Sequence, residues 1–482
     1  MTRLIVGPFN RVEGDLEVRL DVGDDRVRAA EVVSPMYRGF EPMLVGRDPM
    51  DALVIVPRIC GICSVSQSIA AARALADAAG IVPPPNGTHA LNLMAATENA
   101  ADHLTHFYLF FMPDFTRPVY AGRPWFAEAQ RRFAAPGGEH ARAAVAARQR
   151  WFDVMGLLGG RWPHTHSVLP GGSSRAIDGA ERLRLLARVR EFRAFVERQV
   201  IGGPVDELLA LAGDAELQQW AARSDAGDLR FFLRVAADTG LAALGRGPGR
   251  CLSWGAFPGA EGQAAFARGL WQPQGLGAVD LDALTEDATH AWLSDDRPAR
   301  HPSDGLTVPD ADQPGAYTWN KAPRLAGQVV ETGAAARQLC AGQPLVQSLA
   351  LRHGVGVLTR VVARLLELAR LLPLMEAWLQ AIVPREAFAR PLLLPPAAEG
   401  CGLNEAARGA LGHWLRIEGG RLAQYQIVAP TSWNFSPRDA AGSPGALEQA
   451  LVGTPVQAGE DVPVAVQHVV RSFDPCMVCT VH

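Results

Sequence analysis

Asp474-Pro475-Cys476-Met477-Val478-Cys479-Thr480-Val481-His482 ends the chain on two cysteines separated by two residues. Working outward from this stretch, the matching spacing lies near the other extremity, in Arg58-Ile59-Cys60-Gly61-Ile62-Cys63. A Cys-x-x-Cys turn aims both sulfurs the same way, and thiolates select soft or borderline metals. Two such pairs therefore make one four-thiolate site if the fold brings the ends together. Structural zinc sites draw their ligands from a short segment, whereas 412 residues separate Cys63 from Cys476. A chain of 482 residues buries an apolar core without a metal staple. The spacing alone leaves a structural zinc and a working metal centre both open; the distance favours the second.

The rest of the composition narrows the class. With 48% hydrophobic and 20% charged residues and a net charge of -4, the chain is too apolar for disorder and too evenly charged for a nucleic-acid or membrane-surface protein. No nucleic-acid partner and no membrane insertion are expected, since no apolar run approaches the length of a span. The start, Met1-Thr2-Arg3-Leu4-Ile5-Val6, reads as a strand and not as a signal peptide. Seven cysteines, an odd number, fit a reducing compartment, so a cytoplasmic location is expected. Cys251, Cys340 and Cys401 stand singly and read as small buried hydrophobes. No linker, low-complexity run or repeat divides residues 1–482, which read as a single domain.

Periodicity predicts a hairpin over 3–33 and helices over 48–57, 64–79, 88–111, 142–158, 179–200, 229–243 and 355–383. A second hairpin is expected over 414–428, around Gly419-Gly420. The expected fold class is α+β and mainly helical, a central bundle of long helices with small antiparallel sheets near the N- and C-terminal ends.

Both cysteine segments resemble the two signatures of nickel-iron hydrogenase large subunits. Further matches follow in order: Arg11-Val12-Glu13-Gly14, Arg38-Gly39-Phe40-Glu41, Gly46-Arg47-Asp48-Pro49, Asp102-His103-Leu104-Thr105-His106-Phe107-Tyr108, Lys321-Ala322-Pro323-Arg324, Arg408-Gly409-Ala410-Leu411-Gly412-His413-Trp414 and Thr431-Ser432-Trp433-Asn434. The resemblance implies that Cys60, Cys63, Cys476 and Cys479 bind nickel, with Cys63 and Cys479 also bridging to an iron that carries carbon monoxide and cyanide. It implies magnesium held by Glu41, His482 and the backbone carbonyl of Ile427. Splitting hydrogen releases a proton that needs a base, and the resemblance assigns Cys476 as first acceptor and Glu13 as relay. The resemblance also implies that Arg408 is aimed at the gas site with Asp102 and Asp474 orienting it, and that Thr431 hydrogen-bonds a cyanide. His103, His106, His164, His166 and His413 are expected to be core or supporting histidines.

The departures concern function within the family. Gln67 stands where catalytic members have a histidine near the bridging sulfur, and an amide donates a hydrogen bond there without titrating. Asp15 and Ala407 replace a common His and Pro, and Ile62 and Phe110 are bulkier than the family's Val and Leu. Gln67, the bulky pair and the end at His482 resemble the hydrogen-sensing branch. The expectation is a low-turnover sensor subunit passing electrons to an iron-sulfur small subunit, in a dimer of heterodimers that signals to a histidine kinase. The alternative is a catalytic uptake hydrogenase feeding respiration. In either case electrons leave through a partner, because the three remaining cysteines are scattered.

Overall fold

The structure is a computed structural model that describes residues 2–259, 262–457 and 459–480. At the N-terminus, Thr2–Val6, Glu17–Gly23 and Arg26–Val33 form an antiparallel sheet in sequential order. Alternation places Val18, Leu20, Ala30 and Val32 on its buried face, and a register shift between Asp21 and Val22 lets Val27 be buried as well. The connection between the first two strands carries Glu13 past the far end of the chain, where Glu13 and Cys476 pair as an isolated parallel bridge.

Three helices organise the core. Ser64–Ala78 starts directly after Cys63, Pro85–Thr105 runs into a π-helical turn at His106–Phe111, and Val357–Ala381 spans 25 residues with Pro373 inside it. The alanines of the first allow close approach. The strand Ala398–Ala406 crosses it so tightly that a Cβ at Gly402 would lie 2.0 Å from the Ala70 carbonyl oxygen, and one at Gly400 2.1 Å from that of Ala74. This strand pairs with Gly409–Glu418, which pairs with Arg421–Val428.

The mainly helical α+β class with antiparallel sheets near both ends is what the structure has. Two further three-stranded sheets lie mid-chain, one of Cys251–Pro258, Ala264–Gln272 and Gly275–Gly277, the other of Leu284–Asp287, Ala299–Arg300 and Ala322–Leu325. The predicted helix over 48–57 is instead three short turns, with Pro49 opening one 3-10 segment and Pro57 lying in the first turn of another, Val56–Arg58. That over 142–158 breaks at Phe152 into Glu139–Trp151 and Asp153–Gly159. No helix among the described residues is long and apolar enough to cross a membrane.

Candidate metal centre

The two ends meet through backbone before any sulfur is involved. Met477 donates its N–H to the Glu13 carbonyl at 2.7 Å, and Glu13 donates to the Pro475 carbonyl at 3.4 Å. Gly14 lies in the left-handed region at φ 77°, and a Cβ there would sit 2.9 Å from Val478, so only glycine permits this approach. Arg38 joins the two cysteine segments: its guanidinium donates to the carbonyl of Ile59, next to Cys60, and at 2.7 Å to that of Val478, next to Cys479.

This brings the four sulfurs together. Cys60 Sγ lies 3.3 Å from Cys476 Sγ, Cys63 Sγ 3.3 Å from Cys479 Sγ, and Cys476 Sγ 3.1 Å from Cys479 Sγ. All four lie within 4.8 Å of one another and are buried. One ion with metal–sulfur distances of about 2.3 Å spans sulfurs up to about 4.6 Å apart, so the set fits a single soft metal. The electrostatics agree. Burial pushes the Cys476 thiol well up, whereas the hydrogen bond with Cys476 pulls Cys60 well down. Four buried thiols this close shed all their protons only against a bound cation.

Arg408 is 3% exposed and lies among carboxylates. Its Nη1 is 3.1 Å from Asp102 Oδ2, its Nη2 3.0 Å from Asp474 Oδ1, and its Nε donates to the Asp474 carbonyl at 3.0 Å. Burial pushes the Asp102 carboxyl up to about 8 against the pull of Arg408, whereas for Asp474 the attraction of Arg408, His106 and Arg364 outweighs burial and holds it below the usual range. Their surroundings thus push the two carboxyls apart, Asp102 toward the neutral form and Asp474 toward the ionised one. Asp474 Oδ2 is buried without a hydrogen-bond partner among the described residues, whereas Asp102 Oδ2 faces Arg408 Nη1. Burial and the Cys60 charge also raise the Glu13 carboxyl, with Arg408 opposing.

The remaining predicted residues fall close by. Thr431 Oγ accepts from the Cys476 N–H at 3.3 Å, which leaves its own proton to be given elsewhere. Gln67 Oε1 takes a hydrogen bond from His413 Nε2 at 2.8 Å, so the amide nitrogen is the end left to donate. His413 is fixed in turn by Tyr425 Oη on Nδ1 at 2.7 Å. Glu41 is buried, and its Oε1 accepts the Ile427 N–H at 2.7 Å; it is the N–H of Ile427 that meets Glu41. Lys321 Nζ lies 3.5 Å from Glu41, a cation that sequence reasoning did not assign there. His482 lies outside the described residues. His103 bonds Glu367, His106 the Arg471 carbonyl and His166 Arg161, while the His164 N–H donates to Ser64 Oγ; none of the five joins the four cysteines in a metal-holding group. Ile62 packs in the apolar cluster of the cysteines, whereas Phe110 is half-buried on the π-helical turn, its carbonyl tied to Arg11.

Two residues escaped sequence reasoning. Arg38 stood in a recognised motif without a role. Glu98, 2% exposed, accepts from the N–H groups of Val65 and Ser66, from Ser66 Oγ and from Trp162 Nε1, and so caps the helix that follows Cys63. Its signal is weak, since it lies 35 residues beyond the cysteine it supports.

A buried four-cysteine cluster drawn from both ends of one chain, with a buried arginine paired to Asp102 and Asp474 within electrostatic reach of Cys60 and Cys476, defines a soft-metal protein. The nickel-dependent hydrogenase family matches over residues 38–129 and 139–482. The chain is 29% identical over its whole length to the periplasmic NiFeSe hydrogenase large subunit of Desulfomicrobium baculatum, covering 95% of that protein. It is 27% identical, again over its whole length and 95% of the relative, to the uptake hydrogenase large subunit of Afipia carboxidovorans. The crystal structure of a reduced, active form of the NiFeSe hydrogenase from Desulfomicrobium baculatum superposes with a TM-score of 0.87 at 28% identity, with all of both chains covered. The chain belongs to the nickel-dependent hydrogenase family, as the large subunit of a hydrogenase enzyme.

Proposed function

We propose that this chain is the large subunit of a catalytic uptake hydrogenase, taking electrons from hydrogen and delivering them through an iron-sulfur small subunit to respiration. The observation that carries the reading is the close set of four thiols within electrostatic reach of Arg408, with the backbone of Glu13 bridged to Cys476. The names of relatives matched over the whole chain, uptake and periplasmic hydrogenases, support it over the sensor expectation. When bound, a nickel-iron centre with carbon monoxide and cyanide on the iron supplies the place where hydrogen is divided heterolytically. Cys60, Cys63, Cys476 and Cys479 would hold it. Cys476 takes the proton first, and the Glu13 carboxyl, raised by burial, holds it and passes it outward. Arg408 presents its guanidinium to the gas site, kept in place by Asp102 and Asp474. Thr431 would offer its hydroxyl and Gln67 its amide N–H to that centre as hydrogen-bond donors. Glu41 and the Ile427 carbonyl would hold magnesium, a hard cation suited to a carboxylate, together with His482, which lies outside the described residues. The chain acts as one domain over 1–482, and its odd number of cysteines, seven, supports a cytoplasmic location.

One observation favours the sensor as a second reading: Gln67, whose amide is held by His413 and offers no titrating group. Two measurements separate the readings. The purified heterodimer is assayed for hydrogen-driven dye reduction, and the gene is deleted in a strain that expresses the other hydrogenase genes constitutively. Fast turnover, with growth on hydrogen lost on deletion, supports the uptake enzyme. Slow turnover with growth retained overturns it in favour of a sensor partnered by a histidine kinase.

A further inference from the structure

Behind Arg408 lies a second, fully buried arginine that touches no thiol and has no part in the reading so far. Arg337, on the helix Ala334–Cys340, is 0% exposed and uses every N–H it has. Nε reaches both oxygens of Glu367 at 3.1 and 2.9 Å, and Nη2 reaches Glu367 Oε1 at 2.6 Å and the Ala407 carbonyl at 2.8 Å. Nη1 reaches Glu405 Oε2 at 2.8 Å and the Ala406 carbonyl at 2.7 Å. The two carbonyls belong to the residues immediately before Arg408. On its other side Gly409, at φ 129°, lies so close to Thr332 and Gly333, which lead into the same helix, that a Cβ would meet Thr332 Oγ1 at 2.4 Å.

The opposite partner of Arg408 is tied to the same knot. Glu367, on the long helix Val357–Ala381, also takes His103 Nε2 at 3.0 Å and Gln338 Nε2 at 2.9 Å, and His103 follows Asp102 in the chain. One carboxylate thus fixes the arginine that holds the backbone before Arg408 and the histidine beside Asp102. We propose that Arg337 is a positioning residue for the gas site: through the Ala406 and Ala407 carbonyls it sets the height and direction of the Arg408 guanidinium above the sulfurs. The proposal rests on the reading of Arg408 given above. A guanidinium is needed because its planar fork serves two carbonyls and two carboxylates at once, which an ammonium cannot do.

The test uses the metal-loaded heterodimer carrying Arg337→Lys, Arg408→Lys or both. Arg337→Lys keeps the buried charge that Glu367 requires, so full nickel content is expected. Hydrogen-exchange mass spectrometry is expected to show about tenfold faster exchange confined to residues 404–410. Displacing Arg408 is expected to lower kcat/KM by about tenfold to a hundredfold. In the Arg408→Lys background, Arg337→Lys then costs less than about twofold, because both changes act through one group. Additive losses in the double variant, or unchanged exchange over 404–410, overturn the proposal. If Arg408→Lys alone has wild-type kinetics, the reading of Arg408 fails, and with it the catalytic part of the proposal, while the exchange data still decide whether Arg337 holds this backbone. If Arg337→Lys gives no soluble chain, the charge-neutral pair Arg337→Gln with Glu367→Gln is measured in the same way.

Discussion

At the scale of single residues, the site depends on side chains that bind no metal. Arg38 is the clearest case, since one guanidinium donates to carbonyls beside Cys60 and Cys479. Hydrogen bonds from a charged donor contribute about 1.5–3 kcal/mol each, and these two act on the relative position of the ligand pairs. Arg38→Met is expected to leave the chain folded while lowering nickel per chain, measured by elemental analysis after dialysis; full nickel retention would show that the sulfurs are aligned without it. Glu13 makes a different prediction. Its backbone, not its carboxyl, pairs with Cys476, so Glu13→Gln should keep nickel while suppressing hydrogen/deuterium exchange and hydrogen oxidation together, by about a hundredfold or more. Wild-type exchange in that variant would assign the proton to another group.

At the scale of elements, the helix Ser64–Ala78 has to reach the sheet closely enough for Gln67 to meet His413, 346 residues away. Gly400 and Gly402 permit that approach. Gly402→Ala is expected to force helix and strand apart at a cost of about 1–3 kcal/mol, lowering the melting temperature while leaving Arg408 and its partners in place; an unchanged melting temperature would mean the contact yields freely. These elements also mark how far the sequence could be read. The helix after Cys63 was legible to within a residue, because alanine-rich periodicity and the preceding Cys-x-x-Cys turn both mark it. The N-terminal hairpin was legible because it alternates. The strand Cys251–Pro258 was not, since nearly every residue in it is buried and no alternation survives. The cysteines, Glu13 and Arg408 could be picked out from motifs. His413 was named from its motif as a core or supporting histidine, but the supports from Glu98 and Arg337 could not be read, because buried hydrogen bonds between distant segments leave no period or spacing in a chain.

At the scale of the whole molecule, buried carboxyls shape the response to pH. Burial raises Glu98, Glu286 and Glu448 to about 7 from 4.5. The folded state therefore binds protons that the unfolded state has released, and the stability these groups contribute is present at low pH and lost as pH rises through about 7. His106 and His468 oppose this at lower pH, since burial lowers them to about 3 and 4, but their effect is nearly complete once unfolded histidine is neutral above about 6.5. The metal-free chain is thus expected to melt at lower temperature at pH 8 than at pH 6.5. Glu448→Gln should flatten the slope, its melting temperature relative to the parent rising by about 1–3 °C across that range; parallel profiles would remove Glu448 from the account. The gathering of four sulfurs from both ends has one more consequence, in time. At a synthesis rate of about 5–20 residues per second, Cys60 and Cys63 wait roughly 20–80 s for their partners to be translated. During that wait the nascent protein is half a chelator, with two thiols able to capture whatever soft ion arrives first. Correct loading is therefore a problem of scheduling as well as of affinity, and the groove that receives residues 474–480 has to stand ready before the segment that fills it has been made.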